Sequence, residues 1–180
     1  MPAEIRSLRG EDIASCLNIY NYYILHSSAT FETEVLSEEE FTERVKRITE
    51  RYPWIVIVKE GNILGYAYLS EFIPRSAYDW TADAAVYLDH SARGRGYGSL
   101  IMAELIRLAE ACGYCNLVSV ITETNTASQK LHEKFGFVKA AHFADFGCKN
   151  GEWLGVDYYV KVLRNPGKNE SLPHPVNLRL

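Results

Sequence analysis

No apolar run in this sequence approaches the roughly 20 residues that a membrane-crossing helix needs. The first residues also lack the apolar core of a secretory signal, so the expectation is a cytosolic protein. An excess of basic charge is missing as well. Lys and Arg total 19 against 23 Asp and Glu, a net charge of −4, which argues against a nonspecific grip on nucleic acid. A local cluster of arginines then reads as a site and not as part of a general basic surface. Cysteine is scarce, with four in all (Cys16, Cys112, Cys115, Cys148). Cys112-Gly113-Tyr114-Cys115 has C-x-x-C spacing, but no second such pair and no histidine pair accompanies it. It falls between a helix end and a strand start, and Gly113 as a helix terminator explains it better than metal or redox chemistry. His26, His90, His142 and His174 have no matching partners and no metal spacing, and are read as structural or solvated. There is no repeat and no second-domain boundary. The chain has 180 residues, 47% of them apolar and 23% charged, which suits a single soluble domain with one sizeable core.

The most informative stretch present is Leu88-Asp89-His90-Ser91-Ala92-Arg93-Gly94-Arg95-Gly96-Tyr97-Gly98-Ser99. It joins an alternating, strand-like run (Ala82 to Leu88) to an apolar-periodic helix beginning Leu100-Ile101-Met102. Glycines let the backbone curl so that successive N–H groups face one point, where the helix N-terminus adds partial positive charge. Arg93 and Arg95 bring full positive charge to the same place, so the loop is suited to a diphosphate. The bland alternative is a tight strand-to-helix turn with solvated arginines. The P-loop pattern is absent, and the dinucleotide fingerprint fails because Ser99 stands where its third glycine would be.

The order of elements along the chain reads β-α-α-β-β-β-α-β-α-β-β. Ile5 to Leu8 is a short first strand, and Ile13, Leu17, Tyr20 and Ile24 have helical spacing. Ser37 and Glu40 form a capping box for a helix over Glu38 to Arg51. Pro53 ends that helix, and Trp54 to Val58 starts a buried strand that turns at Gly61-Asn62 into Ile63 to Glu71. Trp80 to Leu88 is the central strand, with Trp54 and Trp80 in the core. A helix over Ser99 to Cys112 leads to a strand over Asn116 to Ile121. A further helix over Thr126 to Phe135 is closed by Gly136. Phe137 to Gly147 and Trp153 to Leu163 form a last hairpin around Lys149-Asn150-Gly151. Residues 1–164 are read as one domain and 165–180 as a tail, mobile or packed on a partner subunit.

The Arg-x-x-Gly-x-Gly of Arg93, Gly96 and Gly98 resembles the coenzyme A diphosphate loop of the GCN5-related N-acetyltransferase (GNAT) superfamily. The element order is similar over roughly residues 3 to 163. Arg51-Tyr52-Pro53-Trp54, Ala77-Tyr78-Asp79-Trp80-Thr81, Val86-Tyr87 and Leu131-His132-Glu133 resemble its phosphinothricin N-acetyltransferase branch, which includes enzymes acting on methionine sulfoximine and methionine sulfone. The resemblance implies an α/β (α+β) GNAT fold, a mixed sheet of about seven strands flanked by about four helices. It also implies acetyl-CoA as the coenzyme, coenzyme A as product, a small amine as the acceptor and a homodimer with the substrate pocket near the subunit interface.

Site residues follow from the same resemblance. The diphosphate grip falls on Arg93 and on the amides of Gly94, Arg95, Gly96, Tyr97, Gly98 and Ser99. Val86, Tyr87 and Leu88 are placed to pair with the pantetheine arm as an added strand would. Asn125 falls where the superfamily holds the coenzyme, although a plain helix cap fits it equally well. His132 stands where many members have a tyrosine that protonates the leaving thiolate, and where this branch has histidine; a lone helix histidine is otherwise structural. Asp83 replaces the glutamate that the branch offers as base for the amine proton, one methylene shorter, and could instead only shape the pocket. Ala84 and Ala85 replace larger or polar neighbours and widen it. Thr30, Phe31, Glu32, Arg75 and Tyr78 fall at the acceptor pocket, with the Arg75 guanidinium suited to a bidentate grip on a carboxylate or phosphinate. Two rival readings remain: the same fold acting on a peptide N-terminus or polyamine, and a non-catalytic acyl-CoA-binding module.

Overall fold

A computed structural model describes residues 2–167 and 171–174. Its strands are β1 (Glu4–Ser7), β2 (Trp54–Lys59), β3 (Asn62–Glu71), β4 (Thr81–Leu88), β5 (Asn116–Thr122), β6 (Val138–Lys149) and β7 (Glu152–Val162). They form one seven-stranded sheet in the order β1-β2-β3-β4-β5-β7-β6. Every pairing is antiparallel except β4 with β5, which the intervening helix makes parallel. The helices are α1 (Ile13–His26), α2 (Glu38–Thr49), α3 (Tyr97–Cys112) and α4 (Thr126–Lys134).

Alternation along β2 divides the core in two. Val56 packs with Tyr20, Ile24, Phe41 and Tyr66 under α1 and α2, while Ile55 and Ile57 pack with Leu69, Ile101, Met102 and Leu105 under α3. On α2 the apolar stripe is narrow, Phe41 and Val45 with Ile48 beside them, as expected of a helix lying on the surface. Its N-terminus carries the anticipated capping box, with the Glu40 N–H donating to Ser37 Oγ and the Ser37 N–H to Glu40 Oε2. Asn150 and Gly151 both have positive φ (52° and 83°), the geometry of the tight turn read from Asn-Gly.

Strand and helix boundaries differ from the sequence reading by a residue or two at most ends, and two of those differences matter. α3 begins at Tyr97, two residues earlier than anticipated, because Gly96 at φ 83° serves as its N-cap. Gly98 therefore lies in the first helical turn and not in the loop. A Cβ there would just reach the Leu88 and Leu131 side chains, at 3.4 Å from each. α4 ends at Lys134 with Phe135 as its cap, and Gly136 at φ 79° follows one position later.

Three further expectations need correction. Trp80 is half-buried and not in the core; its indole N–H donates to the Ser171 carbonyl at 3.0 Å. That contact belongs to a described part of the tail, residues 171–174, which packs against its own chain: the His174 N–H also reaches Cys112 O (3.1 Å). Residues 168–170 and 175–180 of the tail lie outside the described residues. His142 has partners after all, since its Nδ1 lies 2.7 Å from buried Asp157, which also pairs with Lys139. The four cysteines are free, and Gly113 at φ 92° closes α3 as read.

Candidate active site

The site exists because two strands part. β4 and β5 pair only at Thr81–Asn116, Ala82–Leu117 and Asp83–Val118. At the next position Ser119 Oγ donates to Ala84 O (2.8 Å), and beyond it no backbone pairing joins the two strands. A cleft of about 430 Å³ opens there, walled by Asp83 to Leu88 on one side and Ser119 to Ile121 on the other. Arg93, Gly94, Gly96, Gly98 and Ser99 line one part of it. Asn125, Ala127, Ser128, Leu131 and His132 line another, from the start of α4.

The glycine loop has the shape an anion needs. Gly94 and Gly96 have φ of 73° and 83°, and an added Cβ at either would meet nothing within 4 Å, so backbone conformation alone calls for glycine. No side chain caps α3; the Ser99 and Leu100 N–H groups are taken by the Gly96 carbonyl (3.0 and 3.2 Å), which leaves the amides of Tyr97 and Gly98 for a ligand. Lys134 extends from α4 to Ser99 Oγ (2.8 Å), adding a cation that sequence reading overlooked. Arg95 is exposed and Tyr97 packs on the α3-side core; neither side chain lines the cleft.

Asp83 sits in the cleft wall with no hydrogen-bond or ion-pair partner among the described residues. Burial alone pushes its carboxyl up to about 7. It shares a sheet face with Ala85, Tyr87 and Tyr68, the last stacked on Trp54 at 4.2 Å. Asn125 caps α4 through its side chain, accepting from the Ser128 N–H at 3.2 Å, and also lines the cleft. The two readings of Asn125 are thus compatible by position.

His132 is 3% exposed. Its Nδ1 lies 2.8 Å from the Ser128 carbonyl, and because a carbonyl only accepts, Nδ1 carries the proton. Nε2 is buried without a partner and holds the lone pair. Burial lowers the affinity of His132 for a second proton, only partly offset by the Ser128 bond. The ring is therefore an acceptor at Nε2 near neutral pH, whereas protonating a thiolate would require the charged form that burial disfavours.

Of the acceptor residues read from the sequence, Asp83, Ala84 and Ala85 are on the cleft wall, and Thr30, Phe31, Glu32, Arg75 and Tyr78 are not. Thr30 is buried, its hydroxyl 3.0 Å from Tyr20 Oη and its carbonyl accepting from Lys149 Nζ at 2.7 Å. The Phe31 ring lies against Gly147, where no Cβ would fit. Glu32 pairs with Arg44 at 2.8 Å, and the Arg44 guanidinium lies 5.5 Å above the Tyr20 ring. Arg75 and Tyr78 stand exposed on a short 3₁₀ turn before β4, tied down by an Arg51–Asp79 ion pair (2.8 Å). The sequence carried no local signal for Tyr23, Tyr68 or Ser119, which line the cleft from distant parts of the chain, nor for Arg44 and Lys149, which hold Glu32 and the Ser27 and Thr30 carbonyls behind it.

A parted parallel strand pair, a glycine-capped helix at its mouth and an unpartnered carboxyl inside leave room for a long anionic ligand beside a candidate base. The chain belongs to the acetyltransferase (GNAT) domain family, whose match spans residues 5–156. Within it, the chain is an N-acetyltransferase of the phosphinothricin/methionine sulfoximine branch. It is 34% identical to the phosphinothricin N-acetyltransferase of Streptomyces viridochromogenes over 97% of this chain and 93% of that protein. It is 28% identical to the L-methionine sulfoximine/L-methionine sulfone acetyltransferase of Salmonella typhimurium over 86% of this chain and 91% of that one. The fold superposes on a Sinorhizobium meliloti phosphinothricin acetyltransferase solved with acetyl-CoA, with a TM-score of 0.89 at 32% identity, over 94% of this chain and 95% of that one.

Proposed function

We propose that this protein transfers an acetyl group from acetyl-CoA to the α-amine of a small amino-acid-like substrate of the phosphinothricin, methionine sulfoximine or methionine sulfone type. The amine attacks directly within a ternary complex, and no acyl-enzyme forms. The observation that carries the reading is Asp83: a carboxyl in the cleft wall, without a partner, with its proton affinity set near neutrality by burial. Named substrates of three relatives support the acceptor class.

The residues present fit the coenzyme. Uncapped α3 amides, the open glycines at 94 and 96, Arg93, Arg95 and Lys134 suit its phosphates. The side of Ala85 to Leu88 that β5 leaves without a partner strand suits its arm, and Asn125 lies at the start of α4. The coenzyme supplies an activated acetyl thioester. Asp83 takes the proton from the acceptor ammonium, through a water where its shorter side chain falls short. His132 accepts a hydrogen bond at Nε2 and so orients a donor in the cleft. Tyr68 and Ala85 shape the acceptor space, with Thr30, Phe31 and Glu32 behind it and Arg75 and Tyr78 at its outer end, while the Ala84 side chain lies in the core under α3. Arg75 meets the acceptor's acidic group in a homodimer whose second subunit closes the pocket over it, in a cytosolic setting.

Thiol release measured over phosphinothricin, methionine sulfoximine, methionine sulfone, ordinary amino acids, a polyamine and a peptide tests the acceptor class. Arg75→Ala should raise KM for the anionic acceptors roughly tenfold or more, the worth of one charge-assisted hydrogen bond. An unchanged KM, or preference for the polyamine, would remove this acceptor assignment. Tight coenzyme binding without turnover on any amine would leave only a binding module.

A further inference from the structure

We infer that Tyr23 is a positioning residue, which seats Arg93 and fixes the end of β4 before the coenzyme arrives; this rests on the coenzyme reading above. Tyr23 lies in the last turns of α1, is 7% exposed, and contributes to the cleft wall. Its hydroxyl donates to the Leu88 carbonyl at 2.7 Å, across 65 residues of sequence. Its ring carries the Arg93 guanidinium at 5.4 Å and meets the Tyr87 ring at 5.6 Å. Tyr87 and Leu88 are the last residues of β4, and Arg93 opens the glycine loop after the short turn His90–Ala92. One side chain thus touches both parts of the carrier site, the strand end and the anion loop.

Each contact has a purpose there. Leu88 is where the chain leaves the sheet, with the next N–H, that of Asp89, bonded to Leu64 O at 2.9 Å. Engaging the Leu88 carbonyl from α1 satisfies an acceptor that would otherwise face the cleft without a fixed partner. Arg93 is exposed, and a free arginine side chain loses much rotamer freedom on gripping a phosphate; resting on an aromatic face restricts it in advance. Burial raises the Tyr23 hydroxyl's proton affinity, so it remains a donor across the working pH range.

The test is a double-mutant cycle on acetyl-CoA affinity, read by calorimetry on the whole protein. Tyr23→Leu, which removes ring and hydroxyl, should weaken binding roughly tenfold, as loss of a cation–π seat implies. Tyr23→Phe keeps the ring and should lose roughly threefold, the share of one neutral hydrogen bond. In Arg93→Ala, adding Tyr23→Leu should cost far less than it does in the wild type. Free energies that simply add, or wild-type affinity in both Tyr23 variants, would overturn the inference. If Tyr23→Leu does not fold, by ligand-free melting, Tyr23→Phe decides alone: wild-type affinity overturns it and a loss with unchanged acceptor KM supports it. A wild-type protein that binds no acetyl-CoA would sink the coenzyme reading itself, a result distinct from additivity.

Discussion

Asp83 and His132 both lie in the cleft wall, and burial moves them in opposite senses: it keeps the carboxyl protonated longer and makes the imidazole harder to charge. Both shifts favour the neutral form of the group. Catalysis that needs the Asp83 carboxylate should rise with pH through an inflection near 7, seen in kcat/KM. Asp83→Asn should lower kcat/KM roughly 10²-fold or more and abolish that inflection. The same shift has a stability consequence of known sign. Native Asp83 binds its proton more tightly than it does in the unfolded chain, so its contribution is lost as pH rises from the ordinary carboxylate range through about 7. Asp83→Asn should therefore melt above the wild type by a margin that grows over that window and then levels off. A margin independent of pH would show that the carboxyl is not held neutral.

The loop before α3 and the hairpin joining β6 to β7 position the site in different ways. At Gly96 there is room for a methyl group, yet φ is 83°, so Gly96→Ala tests backbone conformation alone. It should cost about 1–2 kcal/mol of stability in denaturant melts and weaken acetyl-CoA binding as the first-turn amides reorient. Lys149, next to the hairpin turn, is 3% exposed and donates to the Ser27 and Thr30 carbonyls at 2.8 and 2.7 Å. Lys149→Met strands both acceptors, so it should loosen the segment running to Glu32 and raise acceptor KM. Acetyl-CoA affinity should stay as it was, and a parallel loss of both would show a general collapse. These two segments also mark how far the sequence could be read. The order of strands and helices was legible because apolar periodicity, the Ser37–Glu40 box and the Asn150-Gly151 turn are local signals. The glycine loop was legible for the same reason. Lys149, Arg44 and Tyr68 were not: their roles come from partners 119, 12 and 17 residues away, joined only when sheet and helices assemble. The orphaned Nε2 of His132 was equally hidden, because it depends on which ring nitrogen the Ser128 carbonyl takes.

Across the whole molecule, a net charge of −4 surrounds the cations Arg93, Arg95 and Lys134 around the glycine loop, where the proposed function puts the coenzyme's phosphates. Acetyl-CoA affinity should therefore weaken as salt rises from about 0.05 to 0.5 M, since these cations are exposed and screened within about 10 Å. Affinity insensitive to salt would mean that backbone amides carry the grip alone. The halves of the sheet, β1 to β4 and β5 to β7, meet through three residue pairs and the Ser119 bridge. A carrier lying along Ala85 to Leu88 would supply the hydrogen bonds the gap lacks, like the missing slat in a blind. Binding of that carrier should therefore protect the chain. In limited proteolysis the loaded chain should outlast the starved one by about the factor 1 + [L]/Kd, tying its lifetime in a cell to the acyl pool it draws on.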